Sequence, residues 1–419
     1  MTDVVEVPVE RGFADPVRRV TGGWIALFAT AWLGVWMAQL TPIQLLLPMQ
    51  VEARIALTNP DATAWQDKVI AFGVISGIAG VFALVVYPLT GLLSDRTTGR
   101  FGRRRPWIAA GMVLFAASMV LLGQQHTMVG IGVWWTATLV GFCVLTAALT
   151  ATISDQVPVD QRGFVSGWIS APQAVGTILG ILLVSLLALG QAAGYQMMAL
   201  LLVVLVTPFV IWIPDEPVSK VRPRTGFWIS PRRFPDFGWT LLSRVLVNLG
   251  NAFGTTLLFY FLEDHLKVAD AEASILELTL IYMFFVVAAS LLLGRLSDRS
   301  GRRKAFVWLA AGLQGVAALL LALIPRYGVA MAGAALLGLG YGCFLSVDQA
   351  LATQVLPDPA TRGKDLGIMN IASAVPQAIA PLLGAIVVAY LGGFGVLYLV
   401  AGVTSLIGAV AVLPIRQVR

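Results

Sequence analysis

Long apolar stretches, separated by short charged segments, divide this chain from end to end. They cover residues 24–48, 69–94, 106–123, 128–152, 165–189 and 195–213, then 238–262, 274–294, 305–325, 329–353, 366–391 and 394–414. A helix rises 1.5 Å per residue, so about 20 apolar residues cross a ~30 Å hydrocarbon layer. The pattern predicts an all-α membrane protein of twelve transmembrane helices in two six-helix groups. The corresponding divisions are a tail at 1–23, a first lobe at 24–213, a linker at 214–237 and a second lobe at 238–415. Composition strengthens this reading. Hydrophobic residues make up 58% of the 419 positions and charged residues 12%, against roughly 25% charged in a soluble domain.

The placement of basic residues predicts the orientation. Of the 28 Lys and Arg residues, only Arg54, Lys68, Lys267 and Arg326 fall in the predicted outer loops, and Arg244 lies inside a span. All others sit in the tails, the linker and the loops on one side, which marks that side as cytoplasmic. Both termini are expected there, in a multi-pass plasma or inner membrane protein. Asp3, Glu6, Glu10 and Asp15 speak against a cleaved signal at the start of the chain. The formal charge of +6 then reflects topology, and no nucleic-acid partner is expected.

One loop signature occurs twice, about two hundred residues apart. The first copy is Gly91-Leu-Leu-Ser-Asp95-Arg96, running through Gly102 to Arg103, Arg104 and Arg105. The second is Gly294-Arg-Leu-Ser-Asp298-Arg299, closing at Gly301, Arg302, Arg303 and Lys304. A shift of 200 residues also lays Cys143 on Cys343, Arg162-Gly163 on Arg362-Gly363 and Gly167 on Gly367. Such a repeat predicts two parallel six-helix units, the design of a carrier whose halves move against each other.

Charge inside a span is costly and usually functional. Arg244 in the seventh span, Glu277 in the eighth and Asp348 in the tenth are the cases here. Arg244 and Asp348 lie at similar depths, so an ion pair is geometrically open to them. The first-half counterpart of Asp348 is Ala148, so the charge is not part of the repeated scaffold. A structural ion pair, proton coupling and direct substrate contact are the competing roles.

Polar side chains form stripes at helical spacing. Arg244, Asn248, Asn251 and Thr255 share one face of the seventh helix, and Ser166, Ser170, Gln173 and Thr177 one face of the fifth. The first helix carries Trp32, Trp36, Gln39 and Gln44, the tenth Tyr341 and Phe344, and the eleventh Asn370, Ser373 and Gln377. Any one of these residues could simply join helices to each other. Together they suit a sugar, since amides donate and accept at once and aromatic planes fit the apolar face of a pyranose. Pro42, Pro172 and Pro376 are expected to bend the first, fifth and eleventh helices near the site.

Over essentially its whole length the chain resembles the major facilitator superfamily. Gly91 to Arg105 matches that superfamily's signature between helices two and three, and Gly294 to Lys304 its weaker second copy. The longer string from Ser94 through Arg100, Phe101 and Gly102 to Ile108 is similar to sucrose transporters and to the glycoside–pentoside–hexuronide cation symporters. The resemblance implies a cavity lined by helices one, four, seven and ten, with five, eight and eleven beside them. It implies that Asp95 faces the start of helix eleven and Asp298 the start of helix five, in a gate completed by Arg96, Arg103–Arg105, Arg299 and Arg302. The alternative is that the arginines only anchor their loop at lipid headgroups. Sodium-coupled members of the glycoside branch carry acidic residues in helix two; here Ile70 to Leu93 has none.

Other chemistry is missing. No Gly-x4-Gly-Lys-Ser/Thr phosphate loop occurs. His126 and His265 lie far from Cys143 and Cys343, which have no metal-ligand spacing and are expected to be free thiols. No enzyme activity, cofactor or metal is therefore expected. The reading is a monomeric secondary transporter of a small molecule, a sugar or glycoside symported with protons. Proton-driven efflux of drugs or metabolites on the same fold is the nearest rival, and a transport-dead sensor or membrane-embedded enzyme a more distant one.

Overall fold

Backbone groups in hydrocarbon must be bonded within their own segment, so the apolar stretches become helices with short connections. The computed structural model describes residue 16 and residues 18–58, 65–187, 190–213, 232–355 and 362–416, apart from some side chains within them. The tail to residue 15, most of the linker and the side chains of Asp298 and Asn370 lie outside the described residues.

Helix α1 runs as Gly22–Thr41, a π-helical turn Pro42–Leu46, and Leu47–Thr58. Next come α2 (Trp65–Arg96), α3 (Arg105–Gly123), α4 (Met128–Gln156), α5 (Val159–Leu186) and α6 (Gln191–Trp212). The second half opens with α7, made of Pro235–Thr256, Leu258–Tyr260 and a π-helical turn Phe261–His265, bent by 45°. It continues with α8 (Ala271–Ser300), α9 (Arg303–Leu323), α10 (Tyr327–Gln354), α11 (Arg362–Tyr390) and α12 (Gly393–Ala411). Side-chain caps set several starts: Thr21 accepts from the Trp24 amide, Thr127 from Gly130 and Asp270 from Ala273. Gly301, at φ 65°, closes α8 in the left-handed conformation that suits glycine.

Among the described residues, nine helices are long and apolar enough to cross a membrane, ten with the bent α7. The remaining two, α5 and α11, carry the shorter apolar stretches Val175–Leu186 and Ile379–Tyr390. Large apolar side chains such as Phe82, Val85 and Leu292 face outward, the inverse of a soluble surface and the expected face toward lipid.

The twofold repeat is visible in the packing. In the first half α1 packs on α5 and α6, α2 on α4, and α3 on α4 and α6. In the second half the same pairs recur six helices later: α7 on α11 and α12, α8 on α10, and α9 on α10 and α12. The halves meet through α2 with α11 and α5 with α8, contacts related by the same exchange. Small residues allow them to come close. A Cβ added at Gly73 would stand 2.2 Å from Ala385 Cβ, and one at Gly77 2.7 Å from Leu382. Both π-helical turns also fall in the first helix of a half.

Close packing within a half predicts one measurable cost. A Cβ at Gly111 would lie 2.4 Å from the backbone nitrogen of Leu145, so α3 and α4 would have to separate. Gly111→Ala is expected to lose about 1–3 kcal/mol of stability, read as a lower unfolding temperature in detergent. An unchanged temperature would mean that these helices are not held at this distance.

Candidate functional site

Between the halves lies a narrow cavity, about 460 Å³ when the open solvent at its mouth is included. Its polar lining is neutral. Gln44 comes from α1, Gln173 from α5, Asn251 and Thr255 from α7, Tyr282 from α8, Tyr341 from α10 and Gln377 from α11, with Leu40, Met283, Val286 and Leu345 as the apolar remainder. Six helices from both halves thus present four amides and two phenols to one space. Asn251 Nδ2 donates to Tyr282 Oη at 3.1 Å. The Tyr282 and Tyr341 rings stack at 6.4 Å and 23°, and Tyr341 stacks on Phe344.

One helical stripe links this cavity to buried charge. On α7, Asn248 Nδ2 donates to the Arg244 carbonyl and Thr255 Oγ1 to that of Asn251. Arg244 Nε lies 3.1 Å from Asp348 Oδ2 and 3.0 Å from Ser373 Oγ, which joins α7, α10 and α11. Arg244 is 6% exposed and Asp348 5%, so each charge depends on the other for compensation. Glu277 sits elsewhere. It is exposed near the start of α8 and accepts from Tyr327 Oη at 2.6 Å.

The remaining sequence candidates divide by location. Gln173, Asn251, Tyr341 and Gln377 line the cavity. Trp32 is buried beside Trp36, whose Nε1 donates to the Ile169 carbonyl and fastens α1 to α5. Gln39 and Asn248 are buried and do not line the cavity, and Phe344 lies under Tyr341 in the second-half core. On α1 the cavity instead receives Gln44. Five residues turn a helix by about 500°, so Gln39 and Gln44 leave it in different directions. Tyr282 carries no mark in the sequence to separate it from a core aromatic.

The first loop signature folds into a charge cluster at the face bearing the described ends of α1 and α12. Arg104 Nη2 donates to Asp95 Oδ1 and Nη1 to Ser94 Oγ, both at 2.5 Å. Arg104 Nε also reaches Asp155 Oδ2 at 2.7 Å, and Arg103 Nη2 reaches Asp155 Oδ1 at 2.5 Å. Asp155 lies in the last turn of α4, which brings it onto both arginines. Burial opposes its negative charge, but Arg104 and Arg103 outweigh this and hold its carboxyl below the ordinary carboxylate range. Arg103 and Arg104 are themselves buried against these acids. Gly102 adopts φ 87°, as a turn glycine does, whereas a Cβ at Gly91 would meet nothing within 4 Å.

The second copy builds one related contact. Arg105 donates to the Ile211 carbonyl near the end of α6, and Lys304 donates to the Leu413 and Ile415 carbonyls after α12. In each half the last basic residue of the signature ties helix three of that half to the end of its sixth. Arg96, Arg299 and Arg302 are exposed.

A bundle of two repeated six-helix halves around a central polar cavity defines a membrane carrier for a small molecule. A family model described as Major Facilitator Superfamily matches residues 56–262 and 240–419. The chain belongs to that superfamily: it is a secondary transporter with the twelve-helix major facilitator fold, and not an enzyme. It is similar to the anhydromuropeptide permease of Escherichia coli (strain K12), with 26% identity over 93% of this chain and 82% of that protein. It is 30% identical to sucrose transport protein SUC4 of Arabidopsis thaliana, over 28% of this chain and 25% of that protein. The crystal structure of the human organic anion transporter MFSD10 superposes with a TM-score of 0.71 at 16% identity, covering 93% of this chain and 98% of the other.

Proposed function

We propose that this transporter carries a neutral sugar or glycoside by alternating access, in symport with protons, with both termini in the cytoplasm. The cavity lining is the observation that carries the substrate class. Four amides and two phenols, with no charged residue among them, offer paired donors and acceptors to hydroxyl groups. Tyr282 and Tyr341 take the role of apolar platform that the sequence pattern assigned to Trp32 and Trp36. The division of the lining between halves supports alternate exposure, since rocking opens the site to one side and then the other. Sucrose transport by a relative points to the same class. Arg244 and Asp348 form the coupling site in this reading, and the Asp95–Arg104–Asp155 cluster sets the closure of the cytoplasmic end.

Uptake of labelled neutral sugars into proteoliposomes, with and without an inward proton gradient, tests the reading. Accumulation that needs the gradient supports it. Extrusion of apolar cations in place of sugar uptake would establish the efflux reading instead. Asn251→Ala removes an amide from the lining and leaves Tyr282 without its donor. Losing one such bond costs about 1 kcal/mol, so half-saturation should rise several-fold to about tenfold with little change in thermal unfolding. Unaltered half-saturation would remove Asn251 from the substrate site.

A further inference from the structure

Two side chains of the central cavity use only half of their hydrogen-bonding capacity on each other. Asn251 Nδ2 donates to Tyr282 Oη at 3.1 Å, and both residues line the cavity. Among the described residues, nothing accepts the Tyr282 hydroxyl proton and nothing donates to Asn251 Oδ1. Neither atom is sealed inside the protein, so both open on the cavity. The pair is also held in place. The Tyr282 ring lies on Tyr341 and Tyr341 on Phe344, each at a centroid separation of 6.4 Å. Helix α8 is pressed onto α10, where a Cβ at Gly338 would strike the Tyr282 carbonyl and one at Gly342 that of Val286. Ser290 Oγ ties the same helices by donating to the Gly342 carbonyl at 3.0 Å. Ring and backbone of Tyr282 are thus set by α10, and its hydroxyl by α7.

The remaining valences decide what the pair can recognise. A phenol oxygen that accepts from an amide still carries its own proton, and an amide that donates still has its carbonyl oxygen. One donor and one acceptor therefore stand side by side. A ligand hydroxyl satisfies both: it accepts from Tyr282 and donates to Asn251 Oδ1, closing a ring of hydrogen bonds that all run in one direction. Bonds in such a ring polarise one another. Turning the Asn251 amide over reverses the ring and still calls for a group that accepts and donates at once. An ether oxygen or a fluorine accepts only. An ammonium donates only and meets the Tyr282 proton, while a carboxylate accepts only and meets Asn251 Oδ1.

We propose that Asn251 and Tyr282 together read one hydroxyl group of the substrate, with Tyr282 as the residue that sets specificity at that position. The demand for a hydroxyl rests on the sugar or glycoside reading above and sharpens it: one ring position must carry O–H, and a merely polar group there does not suffice. Both residues belong to the second half, so the pair is whole whichever end of the carrier is open. Arg244 lies seven residues back along α7, about two helical turns, so the pair is separate from the Arg244–Asp348 contact.

The test screens the full chain in detergent against methyl glycosides of the common aldohexoses and aldopentoses, with binding seen as a raised unfolding temperature. The tightest binder and its monodeoxy, deoxyfluoro and amino relatives at each ring position are then titrated by calorimetry into the unsubstituted protein and into Tyr282→Phe. At one position the deoxy relative should bind the unsubstituted protein about tenfold more weakly than the parent, with the fluoro relative between them and the amino relative weakest. Tyr282→Phe keeps the ring stack and should keep its unfolding temperature. It should bind the parent several-fold to about tenfold more weakly, and the gap between parent and that deoxy relative should shrink by a similar factor. Gaps at the other positions should persist. Asn251→Ala should shrink the same gap and serves if Tyr282→Phe folds poorly. Equal weakening of the whole series by Tyr282→Phe would overturn the proposal, as would parent binding that it leaves untouched. Binding by no glycoside at all would overturn the sugar reading and the hydroxyl pair with it, an outcome distinct from either of these.

Discussion

Asp348→Asn is expected to abolish accumulation against a gradient while sparing exchange of substrate between equal concentrations. The side chain is buried, and among the described residues its counter-charge is Arg244, at 3.1 Å. An isolated charge at such a place costs about 2.5–3.5 kcal/mol or more, so the two groups hold each other while Asp348 is ionised. A proton arriving on Asp348 releases Arg244, and through Ser373 this affects the packing of α7 against α11. Asparagine keeps the shape and hydrogen bonding but cannot take the proton. Gradient-driven uptake should therefore fall to the level of empty vesicles, while counterflow continues. Continued concentration of substrate by Asp348→Asn would exclude Asp348 from coupling. Arg244→Ala has a different signature: it strands a buried carboxylate and should cost about 3–5 kcal/mol of stability.

The second large effect concerns Arg104. One guanidinium joins the end of α2, through Ser94 and Asp95, to the end of α4, through Asp155. It is 3% exposed, and Asp155 is 12% exposed at its side chain. Arg104→Ala leaves Asp155 with Arg103 as partner and should cost about 1.5–3 kcal/mol, seen as a lower unfolding temperature and a shift of the carrier toward opening at this end. Asp155 also gives the protein an acid limit. Its carboxyl is held below the ordinary range in the fold, so its contribution is present above the unfolded-state value near 3.9 and is lost as pH falls through the lower folded value. Thermal unfolding followed from pH 6 to pH 3 should show this loss in the unsubstituted protein. Equal acid sensitivity in Arg104→Ala would place its origin elsewhere.

Much of the architecture was legible because membrane burial imposes a simple rule on the backbone. Twelve apolar stretches become twelve helices, and a repeated loop becomes a repeated packing scheme. Arg244 and Asp348 could be paired on paper because charge in a span is rare and each lay at a similar depth. Asp155 was harder. It lies at the boundary between span and loop, and only the continuation of α4 to Gln156 carries it to the arginines.

The cavity itself depended on the tertiary structure. In a soluble helix, polar and apolar faces differ and the buried one declares itself. In a membrane helix the outward face is also apolar, so side-chain type does not tell lipid from core or from cavity. Tyr282, Met283 and Phe284 are consecutive and chemically alike, yet the first two line the cavity while Phe284 is 67% exposed. Trp36 and Gln44 share one helix, but a carbonyl of α5 takes the first and the cavity the second. Sequence alone determined how many helices cross, that they repeat as two halves and that charge is buried in the second. Which face of each helix meets another half was decided by packing, because only the approach of α2 to α11 and α5 to α8 defines where the space between them lies.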